Sequence, residues 1–91
     1  MNQSILFPDV QHWDDIRQSV RFSAQQSGAL IECGISKQGL ETLSGQMIVS
    51  AQQAMQIFVE FRFDIEELAE ELIEDELFSD EGMIEINVSL A

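Results

Sequence analysis

The chain reads as an α+β domain two layers deep, in which a mostly antiparallel sheet of about four strands carries two helices on one face. Three observations lead there. Residues 19–25 and 29–36 alternate apolar and polar side chains with the period of two that half-buried strands show. From residue 50 to residue 75 apolar side chains recur at helical spacing instead. A last alternating run returns near the end of the chain, so the element order is strand, strand, strand, helix, helix, strand, which suits a sheet with helices on one side.

Residues 4–7 form the first short strand, ended by Pro8, which has no N–H to give to a ladder. The polar stretch 9–18, with His12, Trp13, Asp14 and Asp15, is expected as a connection. In the next two strands Val20, Phe22 and Ala24 alternate inward, as do Ala29, Ile31, Cys33 and Ile35. An even-length loop, either Ser27-Gly28 or residues 26–29, pairs Val20 with Ile35, Phe22 with Cys33 and Ala24 with Ile31 on one face. A slip of one residue brings Glu32 beside Phe22 in the core.

Ser36 is placed to cap a short helix that ends near Gly45 and buries Leu40 and Leu43. Ser50-Ala51-Gln52-Gln53 is a capping box opening the main helix. Its stripe is Ala54, Phe58, Phe61, Ile65, Leu68 and Leu72; Val59 and Phe63 lie off it, which predicts a deeply buried N-terminal half. The C-terminal half carries Glu66, Glu67, Glu70, Glu71, Glu74 and Asp75, so its outer face must be solvated. Asp80-Glu81-Gly82 reads as a turn before the final strand, in which Ile84, Ile86, Val88 and Leu90 alternate with polar residues. The strand order does not follow from the pattern.

A single domain covering residues 1–91 is expected, since 91 residues with 45% hydrophobic content support one core. Cys33 is the sole cysteine, so no internal disulfide forms; with neither a signal peptide nor a membrane helix in view, the cytoplasm is the expected location. Seventeen acids against four basic residues give a net charge of −13. Twelve of the acids lie from Glu60 onward, where Arg62 is the only cation. Nucleic-acid affinity rests on Lys and Arg neutralising phosphates, so direct DNA or RNA binding is not expected, nor is binding to an anionic membrane.

The search for chemistry yields little. A Cys nucleophile needs a nearby base, His12 is the only histidine, and the alternation turns Cys33 into the core. The carboxylates line one convex helix face rather than a cleft. Zinc needs clustered Cys and His, and an EF-hand frame around Gly82 puts Leu77 and Val88 where carboxylates belong. No catalytic residue, metal or cofactor is therefore expected.

Phe7-Pro8-Asp9, Trp13-Asp14, Val20-Arg21-Phe22-Ser23-Ala24 and Ile31-Glu32-Cys33-Gly34-Ile35-Ser36 follow one another in a distinctive order, with Phe61-Arg62-Phe63-Asp64-Ile65-Glu66 behind them. In these motifs the chain resembles domain of unknown function family 1488, short proteobacterial proteins. The resemblance covers nearly the whole chain and implies a stand-alone two-layer α/β domain in a bacterial cytoplasm. It brings no activity, cofactor or catalytic residue with it.

The functional expectation is a non-enzymatic interaction or regulatory module that meets a basic partner protein. The candidate surface is Trp13 with Glu67, Glu70, Glu71, Glu74 and Asp75. One alternative is a nucleic-acid-mimicking or transcription-associated accessory protein, in the first form of which the carboxylates of the long helix imitate a row of phosphates; a small enzyme using carboxylates or Cys33 is the other.

Overall fold

The computed structural model describes residues 4–88. Its elements are β1 (Ile5–Leu6), β2 (Gln11–Asp14), β3 (Ser19–Gln26), β4 (Ala29–Ser36), α1 (Lys37–Ser44), α2 (Ala51–Glu60), α3 (Arg62–Glu74) and β5 (Ile84–Ile86). The fold is α+β and its sheet mostly antiparallel, with five strands and three helices where about four and two were expected.

The β3–β4 hairpin carries the fold's register. Val20 pairs with Ile35, Phe22 with Cys33 and Ala24 with Ile31, and the pairing runs on to Gln26 and Ala29. The loop is thus the two-residue Ser27-Gly28, with φ of 53° and 83°. Positive φ at both positions is the primed turn whose twist matches the flanking strands.

Both β1 and β2 pair antiparallel with β3, end to end along the same edge. Residues 11–14, read above as a connection, are therefore a strand. Trp13 stands opposite Val20 and faces the core, while His12 stands opposite Arg21 on the other side of the sheet. The next turn is held by Asp14, whose carboxylate accepts from the N–H groups of Arg17 and Ile16 at 3.0 Å each, so the carboxyl sits below its usual range. At the far edge β5 lies parallel to β4, Ile84 beside Cys33 and Ile86 beside Ile35. Parallel pairing requires a crossover, and α1 to α3 supply it. Val88 packs against the core just beyond β5, and Leu90 of the expected final strand lies outside the described residues.

Helix α1 begins as expected, Ser36 Oγ accepting from the Gly39 N–H at 3.0 Å, and ends on Gly45 in the left-handed region. Ser50 Oγ accepts from the Gln53 N–H at 3.1 Å to start α2. The reciprocal half of the capping box is absent: the Gln53 side chain serves the loop, accepting from Val49 N–H and donating to the Met47 carbonyl.

The single long helix expected over residues 50–75 is two helices, broken at Phe61 (φ −104°, ψ 23°). No Pro or Gly marks the break. Instead Arg62 is anchored by neighbours distant in sequence, donating to the Pro8 carbonyl at 3.0 Å and to Gln11 Oε1 at 2.8 Å, with its guanidinium 5.6 Å from the Phe58 ring. The break re-phases the buried stripe. Helix α2 buries Ala54, Ile57 and Phe58; α3 buries Ile65, Ala69 and Ile73, leaving Phe61, Leu68 and Leu72 half-buried. Val59 and Phe63, expected in a deeply buried half, are exposed, lying off the faces that α2 and α3 bury.

The core fills the space between sheet and helices, with Phe22 in contact with Phe58 and Phe7 at centroid distances of 5.2 and 6.3 Å. Cys33 is fully buried there, and burial pushes its thiol up to about 12. Among the described residues no helix is long and apolar enough to cross a membrane.

Candidate functional site

The sheet's two faces separate the chemistry that the sequence offers. Cys33 lies on the helix-covered face and His12 on the open one, so the sheet itself stands between the only thiol and the only imidazole. They form no nucleophile–base pair.

On the open face Arg21 is only 2% exposed. It reaches over Gly34, where a Cβ would meet the guanidinium directly. Its Nε donates to Glu32 at 3.1 Å, and both terminal nitrogens grip Glu85, at 3.1 and 2.8 Å. Ser19 Oγ at 3.2 Å and the Met83 sulfur at 3.4 Å take the remaining protons. All five donors of the guanidinium are thereby used. Burial opposes the charge, but the two carboxylates more than offset it and raise the pKa. With no donor left over, Arg21 ties β3, β4 and β5 together and has none to offer a ligand.

This cluster escaped the sequence reading, yet two signals for it were present. Arg21 sits between the inward Val20 and Phe22, and the hairpin register that pairs Phe22 with Cys33 also pairs Arg21 with Gly34. Its partner Glu85 arrives from a strand whose place in the sheet the pattern left open.

Arg17 and Arg62 are also engaged. Arg17 lies near Asp14, Glu81 and Glu85 at 3.4 to 3.8 Å, and Arg62 pairs with Asp9 at 3.1 Å and Glu66 at 2.8 Å. On α3, by contrast, Glu67, Glu70, Glu71, Glu74 and Asp75 meet no cation among the described residues. Glu70 is half-buried and the other four are exposed. No basic residue lies in the last turn of α3 to answer the negative end of its dipole.

Of the six residues singled out by sequence, the five acids thus share one helix and Trp13 stands apart. Trp13 is half-buried against the core, its indole N–H 3.3 Å from Asp15 Oδ1, and it lines a cavity of about 180 Å³ with Lys37 and the start of α2. None of the α3 acids lines that cavity. Exposed Phe63, which the sequence reading placed inside, stands at the head of the acidic helix. No group of three or more His, Cys, Asp and Glu side chains is arranged to hold a metal among the described residues.

These features define a small two-layer α+β domain with a mostly antiparallel sheet, one clamped buried arginine and an acidic helix face. The chain belongs to the family described as "Protein of unknown function (DUF1488)", which matches residues 5–86. It is 35% identical to the "Uncharacterized protein YrdB" of Escherichia coli (strain K12) over 85 residues, 92% of this chain and 96% of that one. The protein of the same description from Shigella flexneri is 34% identical over the same shares. A crystal structure of a DUF1488-family protein of unknown function from Shewanella loihica PV-4 superposes with a TM-score of 0.90 at 45% identity, covering 94% of each chain.

Proposed function

We propose that the protein is a non-enzymatic interaction module of the cytoplasm whose acidic α3 face receives a basic partner protein. The observation that supports this reading is the row Glu67, Glu70, Glu71, Glu74 and Asp75, which meets no cation among the described residues while three of the chain's four basic residues are bound elsewhere. Pairs of like charge at i,i+4 cost a helix roughly 0.2–0.5 kcal/mol each. Glu67 with Glu71, Glu70 with Glu74 and Glu71 with Asp75 are three such pairs, and a cation brought from outside relieves them. The proposal centres on α3; Trp13, in β2 beside the start of α2, enters it as a separate contact.

Affinity capture from a bacterial lysate at low and at moderate salt tests it, with wild type beside a variant carrying Glu67→Gln, Glu70→Gln, Glu71→Gln and Glu74→Gln. A basic protein retained by wild type at low salt and lost from the variant is the expected result; identical capture by both contradicts it. Displacement of that protein by duplex DNA marks the acidic-competitor form of the same reading.

A further inference from the structure

Phe63 has no role in the core. It is 84% exposed, the second residue of α3, and it forms the wall of an open groove of about 410 Å³ between α3 and β1. The floor of the groove is apolar, made by buried Ile5 and half-buried Phe7. Its rim is acidic, made by Asp64, Glu66, Glu67 and Glu70. Only Glu66 among these has a cation, Arg62 at 2.8 Å, among the described residues.

We propose that this groove is the anchoring site of the partner, and that its occupant is a basic segment of another protein that seats one large apolar side chain against Phe63 between flanking Lys or Arg residues. The inference deepens the interaction-module reading and rests on it. Charge selects the occupant. A second copy of this chain, at −13, sets acid against acid, as does a nucleic-acid backbone, whereas a cationic segment meets the acids that α3 sets along the groove beyond Phe63. The aromatic selects the rest. A solvated row of carboxylates alone attracts any polycation, but an exposed ring beside an apolar floor discriminates for a side chain that fills the space, the arrangement in which aromatic anchors dominate binding. The long helix of this fold is thus read as two parts: residues 63–70 recognise the segment, and the acids beyond steer it in.

Fluorescence anisotropy with two labelled synthetic peptides of equal positive charge tests the proposal, one an amphipathic Lys/Leu helix and the other built of Lys and Ser. Wild type is expected to bind the Lys/Leu peptide at least tenfold more tightly than the Lys/Ser peptide. Phe63→Ala is expected to erase that preference, while Ile16→Ala, at an exposed apolar site in the β2–β3 turn, leaves it intact. Amide shifts of the wild-type protein, which depend on no substitution, are expected to move at Ile5, Phe7 and residues 63–70. Equal affinity for the two peptides, or a preference that survives Phe63→Ala, overturns the groove while leaving the acidic-face reading standing. Failure of both peptides to bind overturns both.

Discussion

Arg21 and the outer face of α3 show two opposite treatments of charge in one small domain. The guanidinium is buried to 2% exposure and answered by two carboxylates, a hydroxyl and a thioether. Beyond Glu66, which Arg62 holds, the carboxylates of Glu67, Glu70, Glu71, Glu74 and Asp75 are mostly exposed and answered by nothing basic among the described residues. A buried charge must be matched inside the fold, because an unpaired ion in a low-dielectric site costs several kcal/mol. An exposed one can be left to water, salt or a partner. In a chain with only four basic residues the first demand is met before the second. The acidic face is what remains.

Substituting one carboxylate in each region separates them most sharply. Glu85→Ala removes the bidentate partner of an arginine that cannot shed its charge, and is expected to destabilise the fold by about 3 kcal/mol. Glu74→Ala on α3 is expected to change it by less than about 0.5 kcal/mol. Urea denaturation of both variants reads the difference, and equal effects would dissolve the contrast.

Cys33 extends the contrast to the covered face. Its folded pKa of about 12 stands above the ordinary 9.0, so the thiol's contribution to stability is complete below pH 9 and is lost as pH rises towards 12. By pH 10 the expected loss is about 1.4 kcal/mol, since each unit of pH between the two values is worth that much. A Cys33→Ala variant, compared across the same range, isolates the thiol's share. Folded protein at pH 7 is expected to resist thiol labelling; rapid stoichiometric labelling contradicts the burial.

Salt gives a smaller and opposite signature. Screening of the α3 repulsion is expected to raise the melting temperature between low and moderate ionic strength, by an amount equivalent to roughly 1 kcal/mol. The Arg21 guanidinium, buried beneath its two partly exposed carboxylates, gives up less to screening than the solvated α3 row.

What could be read in advance divides along physical lines. The β3–β4 register was legible because alternation and a two-residue loop act within one short stretch of chain, and Ser36, Ser50 and Gly45 marked helix ends through equally local chemistry. Strand β2 was not legible, since its pairing with β3 is made by the backbone of residues 11–14, which their mixed polar and aromatic side chains do not advertise. The break at Phe61 was hidden for a related reason: Arg62 is held by Pro8, Gln11 and Asp9, far away in sequence. The candidate site was half legible. The five acids stood out by composition, but the exposure of Phe63 depended on which face of α3 the core covers and the Arg21 cluster on where β5 joins the sheet.

The most direct test of the account joins stability to binding in one variant. Replacing Glu67, Glu70, Glu71 and Glu74 by Gln removes the repulsion between these carboxylates along with any attraction for a basic partner. At low salt and neutral pH the variant is expected to be more stable than wild type by roughly 1 kcal/mol, from the i,i+4 pairs it abolishes, and to have lost its affinity for the basic Lys/Leu peptide. A variant that is less stable than wild type, or that binds the peptide equally well, would show that the carboxylates serve the fold or serve nothing, and the account would fail.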